Sequence, residues 1–402
     1  MHTELHPQLA TQSEALQAKE IISACVHCGF CTATCPTYQH FNDERDGPRG
    51  RIYLIKQLLE TNQASEKTQQ HLDRCLTCRS CETTCPSGVE YGRLIDFGRH
   101  MVEQKVDRSW LQKGIRWSLR KVLPYPERFG PLLKIGQLFR PLLPGPLKTK
   151  VPPKQKVRPW PANKHRRRML VLRGCAQPAA TPNTNAAAAS VLDKLGITLM
   201  EEPQAGCCGA VDYHLGAHED GLRAMRKNID AWWPSVEAGV EAIVIMASGC
   251  GVTVKEYGEK FAQDTRYAAK AARISDLARD ISEVLLEEDL NPLKPADQLV
   301  KTAVHCPCTL QHGMQLRGKV EQILQQAGVP LTRTKDAHLC CGSAGTYSLL
   351  EPKTSAQLLD NKLEALMIES PQQIVTANVG CQLHLNTKAT VPVRHWIELL
   401  DQ

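Results

Sequence analysis

The chain has 402 residues, of which 42% are hydrophobic and 23% charged, and a net charge of +7. That length accommodates two or three domains, while its longest apolar runs, such as Ala242–Ala247, fall far short of the ~20 residues needed to cross a bilayer. Seventeen cysteines argue for metal rather than spare thiols, and the globular length and polar, acid-containing start (Met1–Glu20) exclude a small disulfide-stapled secreted scaffold. A cytoplasmic chain is expected, free or peripherally bound to a membrane, with no nucleic-acid partner.

Two identical spacings come first along the chain. Cys25-x2-Cys28-x2-Cys31-x3-Cys35-Pro36 is followed by Cys75-x2-Cys78-x2-Cys81-x3-Cys85-Pro86. This is the run that binds [4Fe-4S] cubanes in two-cluster ferredoxins, where the fourth cysteine of each run serves the other cluster. Three thiolates on one tight loop hold three irons, and the fourth points away to the neighbouring cube. The expected ligand sets are Cys25, Cys28, Cys31 and Cys85 for one cluster, and Cys75, Cys78, Cys81 and Cys35 for the other. Zinc in paired C-x2-C units would leave the third and fourth cysteine of each run unexplained.

Residues 109–168 read as an amphipathic segment and a linker. Trp110, Leu111, Ile115, Leu119, Val122 and Leu123 recur near helical spacing among Arg and Lys, and a second apolar series runs from Leu132 to Leu143. Such stripes are more often core or interdomain packing than a membrane-surface helix. Arg140 to Arg168 carries ten Lys or Arg, seven prolines and no acid. The prolines predict neither helix nor central strand there, so the stretch reads as an extended tether or as a contact for anionic lipid or an acidic partner.

From Met169 the chain repeats. Cys175, Cys207-Cys208-Gly209 and Cys250 are echoed by Cys306, Cys340-Cys341-Gly342 and Cys381. The outer offsets are 131 residues and the central one 133. Each copy alternates short apolar strands with helices: strands at Met169–Leu172, Ile197–Met200 and Ala242–Ile245, then at Thr302–His305, Val329–Thr332 and Gln373–Ala377. That texture predicts parallel sheets, with the cysteines just past strand C-terminal ends where open α/β sheets place ligands. Four thiols per copy could hold an iron–sulfur cluster, zinc or another metal, or be buried unligated; Cys308 is left over. His305 and His338 are candidate ligands or proton donors, or packed histidines. The expected domains are 1–108, 109–168, 169–290 and 291–402.

The Cys-Cys-Gly repeats resemble the cysteine-rich (CCG) domain of heterodisulfide reductases, anaerobic glycerol-3-phosphate dehydrogenase and lactate-utilisation proteins. Cys25–Pro36, Asp46–Lys56, Ala205–His214 and His338–Tyr347 resemble the family of iron–sulfur subunits of bacterial glycolate oxidase, over nearly the whole chain. The resemblance implies a multidomain α+β and α/β chain: a helical two-[4Fe-4S] ferredoxin-type domain followed by a duplicated α/β CCG domain with parallel sheets. It implies an electron-transfer subunit with two [4Fe-4S] clusters and a candidate for more in the repeats. Its partners would be FAD-containing subunits that oxidise glycolate to glyoxylate, and a respiratory acceptor, the quinone pool, at the cytoplasmic face of the inner membrane. No G-x-G-x-x-G follows a strand, so no flavin site and no catalytic residue is expected on this chain. Related repeats end in C-x2-C, whereas Ala247 and Asn378 stand at the first of that pair here. The competing readings are the iron–sulfur subunit of another 2-hydroxy-acid or glycerol-3-phosphate dehydrogenase, a thiol–disulfide reductase acting at the repeats, and a metal-dependent scaffold.

Overall fold

The computed structural model describes residues 1–293 and 300–401; residues 294–299 and 402, which fall in the range expected for the second repeat, lie outside the described residues. Residues 1–108 form a helical body. Helices Ser13–Ser23, Pro48–Thr61, Glu66–Asp73 and Tyr91–Lys105 pack around Ile22, Ile55, Leu58, Leu72, Leu94 and Ile95. Their ends are encoded locally. Pro48 opens its helix where a missing N–H costs nothing. Ser65 accepts from the Thr68 N–H and caps the next helix. Each cysteine run is a loop with two left-handed residues, His27 and Gly29 in the first, Thr77 and Arg79 in the second. A helical turn follows, Phe30–Ala33 or Ser80–Thr84, and the fourth cysteine then lies in extended backbone.

Residues 109–139 are helical, and the expected tether, Arg140–Arg168, is without helix or strand over residues 152–165 but departs from an extended chain at its two ends. Helices Trp110–Val122 and Pro126–Phe139 are followed by a 3-10 turn at Arg140–Leu142 and a helical turn at Gly145–Lys148. Pro141 and Pro146 sit in the first turn of those elements, where proline is tolerated. Arg167 and Arg168, read as linker, belong to a strand. The Arg167 guanidinium pairs with Glu241 at 2.8 Å and Glu288 at 2.7 Å, which fixes the strand's start two residues earlier than expected.

The apolar stripe is also the reverse of its expected packing. The ionic face of helix Trp110–Val122 turns inward: Arg116 reaches Asp73 at 3.1 Å, and Arg120 reaches Asp212 at 2.9 Å and Asp220 at 2.5 Å. Its apolar face points to solvent, with Trp110 84% and Trp117 62% exposed, and Leu138 and Leu142 of the next two elements are exposed as well. Ion pairing to the two neighbouring domains has decided which face is buried.

The repeats are two four-stranded parallel sheets. The first orders β1 (Arg167–Val171), β2 (Ile197–Glu201), β3 (Ile243–Ile245) and β4 (Ala278–Asp280) as β2-β1-β3-β4. The second orders β5 (Thr302–His305), β6 (Leu331–Thr332), β7 (Gln373–Thr376) and β8 (Val393–His395) as β6-β5-β7-β8. Six of these strands answer the expected ones. The edge strands β4 and β8 were not foreseen; each is three residues long with an arginine at its centre. The helices between strands, Asn183–Lys194 and His218–Glu237, then Lys319–Gln326 and Pro352–Met367, cover the sheet faces.

The repeats share one core. Helix Asn183–Lys194 of the first packs on the turn Trp396–Leu399 of the second, and helix Ile281–Leu286 of the first packs on Lys319–Gln326 of the second. Each repeat thus covers its neighbour in the same way, and Leu192, Ile197, Leu285, Ile323, Trp396 and Ile397 lie in a single cluster. At the centre, Ser248 N–H donates to Ala377 O at 3.1 Å and Asn378 Nδ2 to Ser248 Oγ at 3.3 Å. Trp396 is fully buried, so Trp396→Ala is expected to cost roughly 3–5 kcal/mol. The shared core predicts that both repeats then lose protection in the same unfolding transition. Limited proteolysis that cleaves 300–401 while 169–293 stays intact would refute the shared core.

Candidate metal centres

The ferredoxin-type domain brings the cysteines together in crossed sets. One cavity is lined by Cys25, Cys28, Cys31, Cys81 and Cys85, and a second by Cys35, Cys75, Cys78 and Cys81. The fourth cysteine of each run therefore faces the other run's loop, as the spacing predicts. Cys25, Cys35, Cys75 and Cys81 are buried, Cys28 is exposed, and none of the seventeen cysteines is in a disulfide. Burial, with Cys25 next in importance, pushes the Cys31 thiol up to about 11. Burial also pushes Cys78 and Cys81 well above their ordinary range. Thiols crowded this way ionise together only beside a compensating cation, which a metal centre supplies. The donor set, five cysteines around the first cavity and four around the second with Cys81 bordering both, offers the four sulfurs that an iron–sulfur cubane needs in each.

A buried polar network holds the crossing in place. The Asp46 carboxylate is completely buried and lies 2.8 Å from Arg74 Nη1, 3.0 Å from His71 Nδ1 and 3.6 Å from Arg51 Nη2. Arg51 Nε donates to His71 O at 2.7 Å and Nη1 to Thr37 Oγ1 at 3.1 Å, while Thr37 Oγ1 donates to Asp46 O at 2.7 Å. Thr37 Oγ1 in turn lies 3.3 Å from Cys35 Sγ. The network thus ties the end of the first run to the helix that enters the second. Tyr91 OH donates to Cys75 Sγ at 3.7 Å.

In the first repeat the thiols form a chain of neighbours: Cys175 against Cys207, Cys207 against Cys208, and Cys208 against Cys250. Adjacent Cys207 and Cys208 can both face the site because Gly209 follows at φ 91; a Cβ there would meet Gly221 O at 2.7 Å. In the second repeat the matching chain is Cys308, Cys340, Cys341 and Cys381, with Cys308 Sγ 3.8 Å from Cys340 Sγ. Cys306, expected in this set, instead joins the shared core beside Leu310 and Val320. Strand register explains the exchange. Leu170 pairs with Ile243 in β1–β3, and Ala303 with Ile374 in β5–β7. With the third strands related by the 131 residues that separate Cys250 from Cys381, Ile243 answers to Ile374, and the pairing then relates Leu170 to Ala303, 133 residues on. Adding 133 to Cys175 reaches Cys308. The 133-residue offset of the central Cys-Cys pair was the signal in the sequence. His305 Nδ1 lies 2.9 Å from Thr376 Oγ1, and its ring nitrogen is grouped with the Cys341 and Cys381 sulfurs within 4.8 Å. His338 is half-exposed beyond the loop, and its carbonyl accepts from His312 Nε2 at 3.1 Å.

The ferredoxin-type domain seats on both repeats. Against the second, Leu76 and Cys78 share a small core with Cys308, Cys340, Tyr347 and Leu358, and Thr83 Oγ1 lies 2.8 Å from His312 Nδ1. Against the first, Arg79 pairs with Glu256, Arg93 with Glu259 at 2.5 Å and Asp96 with His214 at 2.9 Å. The rings of His100, His218 and Tyr213 stack at 4.0 Å intervals, and burial beside His100 holds His218 down to about 3, so the stack is uncharged at its centre.

Comparison with known proteins agrees with this layout. The model of a 4Fe-4S dicluster domain matches residues 21–89, and that of a cysteine-rich domain matches 169–255 and 302–386. The chain is 56% identical over 403 residues to the glycolate oxidase iron-sulfur subunit of Escherichia coli (strain K12), covering 100% of this chain and 99% of that protein. It is 29% identical to the probable glycolate oxidase iron-sulfur subunit of Bacillus subtilis (strain 168), over 92% of this chain and 90% of that one. Lactate utilization protein A of the same organism is 24% identical over 54% of this chain and 92% of its own length.

The Asp46 network generates a direct test. Arg51→Met leaves a fully buried carboxylate short of one cation and is expected to cost roughly 3–5 kcal/mol. Arg45→Met breaks only the exposed pair with Asp43 and is expected to change stability little. Chemical denaturation that gives the two variants equal midpoints would show that the network does not hold the domain.

Proposed function

From the premise that this chain belongs to the family of glycolate oxidase iron–sulfur subunits, we propose that it carries electrons at thiolate-held centres between flavin-containing partner subunits and a respiratory acceptor. It is the electron-transfer subunit of an oxidoreductase, and the hydroxy acid is oxidised on another subunit. The observation that carries this reading is the crossing: eight cysteines from two runs line two cavities that share Pro48, Tyr91 and Cys81, with Cys85 in the cavity of the first run and Cys35 in that of the second. Iron–sulfur clusters supply one-electron carriage when bound.

In this proposal Cys25, Cys28, Cys31 and Cys85 hold one [4Fe-4S] cluster, and Cys35, Cys75, Cys78 and Cys81 the other. Cys175, Cys207, Cys208 and Cys250 hold a further centre in the first repeat. Cys308, Cys340, Cys341 and Cys381 hold one in the second, where Cys308 takes the place first given to Cys306. The protein's contribution is to fix the sulfurs, exclude water and hydrogen-bond the thiolates. Leu76, Tyr347 and Leu358 seal the space between Cys78 and Cys340. The Thr77 and Gly342 N–H groups donate to Cys75 Sγ and Cys340 Sγ, each at 3.4 Å.

The acceptor proposed is the quinone pool, reached at the cytoplasmic face of the inner membrane. No helix among the described residues is long and apolar enough to cross a membrane. Attachment in this proposal is in-plane. Among the described residues, ten of the seventeen exposed large hydrophobic ones lie between Trp110 and Leu147, a density that marks an interaction face. Lys134, Lys148, Lys150, Lys154 and Lys156 flank it, and no acid occurs between Glu127 and Asp193. Basic residues at the rim of a tryptophan- and leucine-lined face suit an anionic lipid surface.

Iron analysis of the anaerobically purified chain tests the ligand sets. Iron clearly above eight atoms per chain is expected, the content of two cubanes being eight. Cys308→Ser should lower it and Cys306→Ser should not. Cys35→Ser should disturb the EPR signal that Cys75→Ser disturbs, not that of Cys25→Ser. Equal effects of Cys306→Ser and Cys308→Ser would sink the second-repeat assignment.

Vesicle sedimentation tests the face. Replacing Lys148, Lys150, Lys154 and Lys156 with Gln should weaken binding to anionic vesicles by about 1 kcal/mol per charge before screening. Trp110→Ser with Trp117→Ser should weaken it at all salt concentrations. Binding by parent and variants alike would end the lipid reading. Arg167 is left intact because its ion pairs hold β1.

A further inference from the structure

The two repeats are built alike, but the walls of their four-thiol sites differ, and we propose that Lys362 makes the centre in the second repeat easier to reduce than the centre in the first. This rests on the reading that the thiols of both repeats hold clusters.

Equivalent positions follow from the geometry of the Cys-Cys-Gly turns. The glycine of the first, Gly209, abuts the carbonyl of Gly221, and that of the second, Gly342, abuts the carbonyl of Ser355. Two helical turns further along the same helix face, seven residues on in each case, stand Asn228 and Lys362. Both are buried, and both tie down the loop that carries the cysteine pair. Asn228 Nδ2 donates to Cys207 O at 2.8 Å, and its Oδ1 accepts from Gly206 N–H at 2.8 Å. Lys362 Nζ donates to Asp336 O at 2.9 Å and to Ala337 O at 3.5 Å. The structural task is shared, yet one side chain is neutral and the other brings a cation.

Those contacts seat the ammonium against the loop that carries Cys340 and Cys341. Burial pulls Lys362 below the usual lysine value, while the Cys341, Cys340 and Cys308 sulfurs, and after them the Asp336 carboxylate, favour its charged form; among the described residues no carboxylate lies within ion-pairing distance of it. A second pair of positions differs in the same sense. Register places Leu172 and Ile245 of the first repeat where the second has His305 and Thr376, joined by a 2.9 Å contact. The first site thus has an apolar wall and a neutral tie, and the second a polar wall and an ammonium group. Cluster potentials are set by net charge and hydrogen bonding around the sulfurs. A fixed positive charge interacts more favourably with the more negative, reduced form, and burial reduces the screening of that interaction. One electron is gained and no proton need be taken up, because the countercharge is already in place. The site so tuned is also the one that adjoins Cys78 of the ferredoxin-type domain. The core around the first repeat's Cys208 and Cys250 contains no residue of that domain.

The test is an EPR-monitored redox titration of the full-length, anaerobically reconstituted chain. The two repeat signals are assigned by their separate loss in Cys250→Ala and Cys381→Ala. The second-repeat signal should appear at the higher potential in the parent. Lys362→Gln retains a donor for the two carbonyls and removes the charge. It should lower the reduced-to-oxidised ratio of that signal about tenfold at fixed potential, or 59 mV for a one-electron couple. Lys362→Arg should leave it near the parent value, and the other signals should not move in either variant. Should Lys362→Gln lose the centre, the order of the two midpoints in the parent still decides. A first-repeat midpoint at or above the second, or an unmoved midpoint in Lys362→Gln, would overturn the inference. Iron of only eight atoms per chain with no repeat signals would instead overturn the cluster reading on which it rests, a result distinguishable by metal content alone.

Discussion

The N-terminal domain is organised around one arrangement: the last cysteine of each run faces the loop of the other. Corresponding cysteines are 75 − 25 = 50 residues apart, so neither loop can complete its sulfur set until the intervening helices have brought the two together. The crossing makes a local motif into a long-range contact. Its cost is borne by a buried network, since Asp46 is completely inaccessible and meets three cationic or imidazole partners. A lone buried carboxylate would be prohibitive; here it links Thr37, beside Cys35, to His71 and Arg74, beside Cys75. The stretch Asp46–Lys56 is thus structural at its start, although nothing in it carries sulfur.

The constraint propagates outward. The second run ends on the surface that the repeats cover, and Cys78 packs against the second repeat's thiols. Arg79 adopts a left-handed backbone at φ 60 within that run, and its side chain is held by Glu256 of the first repeat. Strain in the loop is therefore offset by an interdomain ion pair. The repeats in turn cannot separate, because each covers the other's helix through a common core. Three sequence units are consequently held together by direct contacts, with Cys78, Cys308 and Cys340 gathered at one junction.

Segment 109–168 follows a different logic. An amphipathic helix ordinarily buries its apolar stripe, since that is where most of its stability arises. Here Asp73, Asp212 and Asp220 recruit the arginines, and the tryptophans are left outside. Such an inversion is stable only where ion pairs are partly shielded, as Arg116 and Asp212 are, and it leaves an apolar face exposed to solvent.

Much was legible from sequence because spacing acts locally. The two N-terminal cysteine loops, the six principal strands and the parallel sheets follow from residue types at short separations, where turn geometry and the two-residue strand period leave few alternatives. Three matters were decided only by tertiary structure. Whether Cys306 or Cys308 faces the second site depends on how β5 registers with β7, and two residues of slip along one strand change which thiol emerges at its end. The orientation of helix Trp110–Val122 depends on carboxylates from residues 73, 212 and 220, which no local pattern reveals. The difference between Asn228 and Lys362 is plain in the sequence as letters, but their equivalence emerges only when two helices are seen to tie down the same loop. In each case the sequence determined the chemistry available, and packing between distant segments determined where that chemistry points.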